Sequence, residues 1–392
     1  MSAAPGQPLR LLTFSTLYPN PAQPNHGVFV ENRLRHLLAS GHAESTVLAP
    51  VLWFPGRGVA RRAVPAEVVR HGIRVLHPRF LGPPGLGMWV NPWILHRIAR
   101  AALRRLLAEG LRPQAIDAHY LYPDGVVAVW LGREFGLPVV ITGRGSDTSL
   151  LPNYRFPRRL IQGAIAGSAA LIAVSAALKE GLVALGAPPE KVTVLRNGVD
   201  LALFRPPADR AAARAALGLT GPALLSVGLL IPRKGHHLTI EAMRELPDHT
   251  LLIAGEGPER GALEAQIARL GLGGRVRLLG ARPHAELPAL YGAADALVLA
   301  SAREGWANVL LEAMGCGTPA IASPAWGSRE AIAAPAAGLV LPDDAPASIA
   351  AGVRQLFAAL PDRAATRAYA EGFGWEATTQ GQLTLFRRVL AA

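Results

Sequence analysis

Two carboxylates, Glu304 and Glu312, stand in the stretch Ser301–Pro319, SAREGWANVLLEAMGCGTP. If all eight steps between them were helical they would lie about 12 Å apart along the axis. Gly305 is a poor helix residue, so Glu304 belongs to the loop at the mouth of the preceding apolar run, Ala296–Ala300. The helix runs through Val309, Leu310, Ala313 and Met314. Glu312 sits two turns in, leaning back toward the helix start. Between the acids lie backbone N–H groups with no intrahelical acceptor, at the positive end of a helix dipole. This is a phosphate cradle with an acid on either side. A sugar nucleotide has the same layout of sugar, diphosphate and ribose. Taken alone, the pair also fits a surface helix with two solvated glutamates.

Other residues extend the chemistry. Arg233-Lys234-Gly235 follows a strand and precedes a helix, and Lys234 is one of only three lysines. A departing phosphate needs positive charge aimed at its oxygens. Gly255-Glu-Gly257-Pro258 also follows a strand, but the third glycine of a dinucleotide fingerprint falls on Arg260, so that motif fails. There is no phosphate-binding G-x-x-x-x-G-K-[ST], no Asp-x-Asp and no His/Cys ligand cluster, which implies no metal and no cofactor. His119 ends a short strand, and Thr142-Gly-Arg144-Gly-Ser-Asp147 ends the next, so two polar tips share one edge.

The elements that would position these residues alternate as strand, loop and helix. Leu9–Phe14, the Pro-rich loop Ser15–Gly27, a helix at Val28–Ser40 and a strand at Ser45–Val51 open a parallel, doubly wound sheet. Such sheets bind ligands at the carboxyl ends of their strands. Residues 52–92 read as an irregular insertion rich in Gly, Pro and Arg. Pro92–Glu109 reads as a basic amphipathic helix, either packed on a core with a solvated face or in contact with anionic lipid. After Phe204-Arg-Pro-Pro207 the alternation restarts, with strands at Ala223–Val227, Thr250–Ala254, Val276–Leu279, Ala296–Ala300 and Ala320–Ser323, and it ends in a helix at Trp375–Leu390.

At 392 residues, half of them hydrophobic, the chain suits two domains. Its one cysteine, Cys316, excludes an internal disulfide and points to a reducing compartment. The start, MSAAPGQPLRLL, lacks the features of a signal peptide, and no apolar run approaches a membrane span, which places the protein in the cytoplasm. The net charge of +12 is uneven: residues 1–200 carry 22 Lys+Arg against 11 Asp+Glu, and residues 201–392 carry 18 against 17. That basic excess fits an anionic lipid surface or an acidic glycan. Nucleic acid is disfavoured because no aromatic-interleaved basic motif accompanies it.

Ser301, Glu304, Gly305, Glu312, Ala313, Met314, Gly317 and Pro319 match, in order, the motif S-x-x-E-G-x-x-x-x-x-x-E-A-M-x-x-G-x-P. In this the chain resembles the retaining glycosyltransferases of family 4. Asn197-Gly-Val-Asp200…Phe204 looks like that family's inter-domain signature. Tyr122-Pro-Asp-Gly125 and Thr142–Asp147 are similar to those of bacterial members that build cell-surface polysaccharides. The resemblance implies the GT-B fold, an α/β architecture of two Rossmann-like doubly wound parallel-sheet domains facing across a cleft. The acceptor-side domain would span 1–200 and the nucleotide-sugar domain 201–372, with a helix at 373–392 crossing back to the first. It implies retaining, metal-independent transfer of a sugar from a UDP- or GDP-sugar to a hydroxyl of a glycan or lipid-linked acceptor. The protein would then sit in the cytoplasm, with peripheral contact at the inner face of the membrane.

The same resemblance assigns roles to residues. Glu304 would contact the donor sugar, and Lys234, Arg233 and the N–H groups of Trp306, Ala307, Asn308 and Val309, beside Gly305, would hold the diphosphate. Glu312 would hold the ribose, Gly255 and Gly257 would lie near the base or ribose, and Gly27 would let backbone approach the diphosphate. His119 would meet the sugar near its anomeric carbon. Asn25, Arg144 and Asp147 are acceptor-side candidates. The family's Arg after the strand-end glycine is Leu229 here, which leaves open which Arg is the second phosphate ligand; Arg233 is the candidate. A sugar-nucleotide-binding protein without transfer and a sugar-nucleotide epimerase are the other readings of the same residues.

Overall fold

The computed structural model describes residues 7–53, 64–83 and 85–392. The chain divides into two compact units, Met1–Asn197 with Glu376–Ala392, and Gly198–Trp375. In the first unit the strands are β1 (Leu9–Phe14), β2 (Ala43–Leu48), β3 (Val51–Trp53), β4 (Glu67–Arg70), β5 (Ile73–Leu76), β6 (Arg79–Leu81), β7 (Ala115–His119), β8 (Val139–Gly143), β9 (Ala170–Ala173) and β10 (Val192–Val194). Eight of them form one sheet in the order β10-β9-β8-β7-β1-β2-β5-β4. Only the β4–β5 pair is antiparallel. Central strands such as AIDAH and VVITG are buried along their whole length, because crossover helices cover both faces of a parallel sheet. The final helix, Trp375–Ala391, puts Leu383, Leu385 and Phe386 into the core with Leu9, Leu11 and Leu37.

The second unit repeats the plan with β11 (Ala223–Val227), β12 (Thr250–Ala254), β13 (Val276–Gly280), β14 (Ala296–Leu299), β15 (Ala320–Ala322) and β16 (Gly338–Val340). Its order is β13-β12-β11-β14-β15-β16, parallel throughout. In each unit the chain reverses its direction of travel once, between β1 and β7 and between β11 and β14. Those are the topological switch points, where the loops at the carboxyl ends diverge and leave room for a ligand.

Residues 52–92 correct the expectation of an irregular insertion. β4 and β5 form a hairpin whose turn, His71-Gly72, has positive φ at both positions, the geometry that suits the twist of paired strands. β3 pairs in parallel with β6 as a separate ribbon. Residues 54–63 and Pro84 of that stretch lie outside the described residues, as do residues 1–6, on which the leader reading partly rests. The helix expected from Pro92 begins at Gly87 and carries Pro92 inside it. Proline has no N–H for the carbonyl four residues back, and the Tyr122 hydroxyl donates to that carbonyl of Met88 instead. The helix Arg155–Gly167 and, in the second unit, Leu287–Ala293, Pro346–Ala358 and Arg363–Glu371 were not anticipated. Among the described residues no helix is long and apolar enough to cross a membrane.

Candidate functional site

In the second unit, Lys234 and Glu304 meet across the switch point. Lys234 closes a tight turn, Pro232–Lys234, after β11, and Gly235 stops it with φ of 69°. A Cβ on Gly235 would stand 2.0 Å from the Ala300 carbonyl oxygen, so only glycine lets this loop press against the end of β14. Lys234 Nζ donates to Glu304 Oε1 at 2.6 Å. Burial alone would raise the Glu304 carboxyl, but the Lys234 ammonium outweighs it and holds the group below the usual carboxylate range. Arg233 turns toward the same loop. Its Nη1 donates to the Arg303 carbonyl at 3.0 Å, and its own carbonyl accepts from Ala302 N at 2.9 Å. Leu229, standing where the family motif has an arginine, is 59% exposed.

The helix after β14 runs Asn308–Gly315, with Ala307 as a cap that has no side chain to bond its N–H groups. Glu312 therefore stands one turn past the helix start, not two. Gly305, Trp306 and Ala307 are buried, while Asn308 and Val309 are half-buried. Glu312 is held at both oxygens: Tyr291 OH donates to Oε2 at 2.8 Å, and His284 Nε2 lies 3.2 Å from Oε1. Gly255 and Gly257 serve close packing between loops. A Cβ on Gly255 would lie 1.8 Å from the Gly228 carbonyl oxygen, and one on Gly257 would lie 2.3 Å from that of Leu230. The loops after β11 and β12 are thus locked together behind Lys234.

In the first unit the edge formed by β1, β7 and β8 holds a buried polar cluster. Arg144 Nη2 donates to His119 Nδ1 at 2.6 Å, which leaves the imidazole proton on Nε2, 3.3 Å from Asp117 Oδ2. Burial lowers the His119 pKa, against the pull of Asp117, so the ring is neutral. Removal from water and the nearby Arg33 bring the Arg144 guanidinium down to about 9. Arg33, fully buried, donates to the Leu195 carbonyl at 3.1 Å. Asp147 spends its carboxylate on the N–H groups of Leu121, Arg144 and Gly145 and acts here as a loop clasp. Gly27 has φ of 64°, and a Cβ there would lie 1.6 Å from the Leu17 carbonyl oxygen, so its nearest backbone neighbour is this chain's own loop. Asn25 is exposed just before it. Across this switch point Asp124 accepts from Thr16 N at 2.7 Å and from Thr16 Oγ1 at 3.0 Å.

The structure therefore joins Lys234 with Glu304, and His119 with Arg144. Reasoning from sequence missed Tyr291, His284, Asp117 and Arg33, and had Asp124 only as part of the Tyr122–Gly125 motif, with no role of its own. Asp117 had a signal, a lone charge inside an apolar strand, whereas Tyr291 and His284 lie in a stretch without clear periodicity. Among the described residues no three His, Cys, Asp or Glu side chains converge on a point that could hold a metal.

The model of Glycosyltransferase Family 4 matches residues 26–203, and that of Glycosyl transferases group 1 matches residues 209–373. A D-inositol 3-phosphate glycosyltransferase of Frankia alni is 35% identical over 70% of this chain and 74% of its own. A D-inositol 3-phosphate glycosyltransferase 1 of Catenulispora acidiphila is 31% identical over 98% of this chain and 96% of its own. Among solved structures, sucrose-phosphate synthase from Thermosynechococcus elongatus superposes with a TM-score of 0.78 at 21% identity, covering 97% of this chain and 99% of that one. Anabaena HepE in complex with UDP gives 0.75 at 22% identity, covering 96% and 99%. At these identities the structural likeness speaks for the fold alone, and the fold is that of the two-domain GT-B glycosyltransferases.

Proposed function

Because the chain belongs to the family 4 glycosyltransferases, we propose that it is a retaining, metal-independent transferase. It would move a hexose from a nucleotide diphosphate sugar, a UDP- or GDP-sugar, to a hydroxyl of a glycan or lipid-linked acceptor in polysaccharide or glycolipid assembly. The observation that carries this reading is the Lys234–Glu304 ion pair at the β11/β14 switch point, eight residues before the doubly held Glu312. In this reading the ion pair opens on donor binding. Lys234 turns its ammonium to the diphosphate, where negative charge grows as the sugar–phosphate bond breaks. Glu304, freed, accepts from hydroxyls of the donor sugar. Arg233 and the N–H groups at the start of the Asn308–Gly315 helix share the phosphate oxygens, beside Gly305, Trp306 and Ala307. Glu312 accepts from the ribose hydroxyls. Retention follows from attack on the face the phosphate leaves, with the departing phosphate oxygen taking the acceptor's proton.

On the first unit, His119 would meet the sugar as a neutral ring, Gly27 would let backbone approach the diphosphate, and Asn25 and Arg144 would serve the acceptor. Asp147 contributes by shaping the loop that carries Arg144. We place the protein in the cytoplasm, with peripheral contact to an anionic membrane at its inner face. The assay is a screen of UDP- and GDP-sugars by thermal shift, since a ligand specific to the folded state raises the melting temperature. Anomeric analysis of the transfer product follows. A β-configured product from an α-configured donor overturns retention, and no stabilisation by any nucleotide sugar overturns the donor reading.

A further inference from the structure

Glu312 does not stand alone. Its two oxygens are bonded separately, one by a phenol and one by an imidazole, from two neighbouring turns of chain. Tyr291 is fully buried in the helix Leu287–Ala293. Burial, reinforced by the charge of Glu312, holds its hydroxyl protonated well above the usual phenol range, so it serves only as donor to the carboxylate. Its own carbonyl accepts from Thr318 Oγ1 at 2.6 Å, and Arg363 Nη2 donates to that same hydroxyl oxygen at 2.8 Å. His284 lies in the short turn His284–Glu286 just before the same helix. The Phe204 ring packs steeply inclined to both, with centroids 5.0 Å from His284 and 5.9 Å from Tyr291. A carboxylate with one donor on each oxygen cannot swing, and its remaining lone pairs have fixed directions.

Two adjacent hydroxyls, held cis on a five-membered ring, are the acceptor-demanding group that such a fixed carboxylate matches in a bidentate way. We propose that Tyr291 and His284, wedged by Phe204, are positioning residues that aim Glu312, and that through it they make the site select ribonucleoside over 2′-deoxyribonucleoside diphosphates. The inference rests on the ribose role given to Glu312 above and adds the residues on which the selection depends. A free carboxylate pays to be ordered before it binds, whereas this one is ordered already.

The probes are UDP, GDP and their 2′-deoxy counterparts, titrated calorimetrically against the full chain, using whichever base binds more tightly. The wild-type chain is expected to bind the ribonucleotide about tenfold more tightly than the deoxy form, the scale of one hydrogen bond to a charged group. Tyr291→Phe keeps the ring against Phe204 and removes only the hydroxyl. It is expected to bring the ratio close to one while leaving deoxynucleotide affinity unchanged. A merely structural loss would weaken both ligands alike and keep the ratio. His284→Ala is expected to lower the ratio in the same direction, and it tests the idea independently should Tyr291→Phe melt early. Wild-type discrimination retained by both variants overturns the inference and leaves the ribose role intact. A wild-type ratio of one with either base overturns the ribose role itself, and binding of no nucleotide at all overturns the donor reading.

Discussion

Lys234 and Glu304 each complete the other in the free chain, so a variant at one changes what the other must do. Lys234→Ala removes the cation proposed for the leaving phosphate and strands a largely buried carboxylate. Turnover is expected to fall by about 100-fold or more, and the melting temperature is expected to drop because a buried charge has lost its partner. Steady-state kinetics and thermal melting read the two effects separately; unchanged turnover removes Lys234 from the mechanism. Leu229 allows the opposite experiment. Its side chain is exposed, so Leu229→Arg costs no packing, and it puts a guanidinium where the family motif carries one. Nucleoside diphosphate binding is expected to tighten several-fold, with a steeper salt dependence, since one more cation faces the phosphates. Equal affinity at low salt would mean that Leu229 does not face the diphosphate.

Both switch points are built from tight loops whose glycines do structural work at named carbonyls, and this gives element-scale tests. Gly235→Ala combines positive φ with a Cβ 2.0 Å from the Ala300 oxygen, so the β11 loop must move away from β14. Gly261, in the helix Arg260–Arg269, has nothing within 4 Å of its Cβ position. Gly235→Ala is expected to lower both melting temperature and donor affinity, whereas Gly261→Ala is expected to be neutral or stabilising through the unfolded chain. In the first unit the loop after β1 is tied to the loop after β7 by Asp124, whose carboxyl burial pushes up to about 7 against the hydrogen bonds from Thr16 and Ser15. Its unfolded value is near 3.9, so the folded state binds this proton more tightly. The contribution of Asp124 to stability is therefore full below pH of about 4, declines as pH rises to about 7, and is flat beyond. The difference in unfolding free energy between Asp124→Asn and wild type, measured by urea melts across that window, is expected to move in favour of the variant as pH rises. A difference that stays constant removes the buried-proton account. These ties were not legible in the sequence. The strands and the Glu304–Glu312 spacing were, because apolar runs and a glycine break are local signals. The partners of Glu312 and Asp124 are distant in sequence and emerge only when parallel strands bring their loops to one edge.

At the scale of the whole molecule, composition correctly located the excess of positive charge in the first 200 residues but not the surface that carries it. The basic stripe expected on the helix now bounded as Gly87–Ala108 is largely neutralised. Arg100 and Arg104 pair with Glu134, and Arg105 pairs with Glu109 and Glu67. Two of those acids lie in or beside β4 and the end of the same helix, in or next to a region whose local strands were unreadable because they are short and interrupted by Gly and Pro. The unneutralised charge lies at Arg97 of that helix and on the helix Arg155–Gly167. Arg97, Arg155, Arg158 and Arg159 are exposed and make no ion pair among the described residues. They flank an aromatic corner in which Trp89 and Trp93, 48% and 49% exposed, stack around Phe156 at 5.0 and 5.6 Å. Leu86, the cap residue just before the helix Gly87–Ala108, is exposed beside it in sequence. Tryptophan beside arginine suits the headgroup level of an anionic bilayer, where rings enter the interface and guanidinium groups meet phosphate. The membrane contact proposed above is therefore expected to run through this corner and not through the basic stripe. In flotation with vesicles of phosphatidylcholine alone and with added phosphatidylglycerol, wild type is expected to float only with the anionic lipid, and less at high salt. Trp89→Ser with Trp93→Ser is expected to abolish flotation while nucleotide binding by the second unit persists, and Arg100→Gln with Arg104→Gln is expected to leave it intact. Loss with the arginine pair and not with the tryptophans would return the contact to the basic stripe. A wild-type chain that stays in the dense fraction with anionic vesicles at low salt has no such surface.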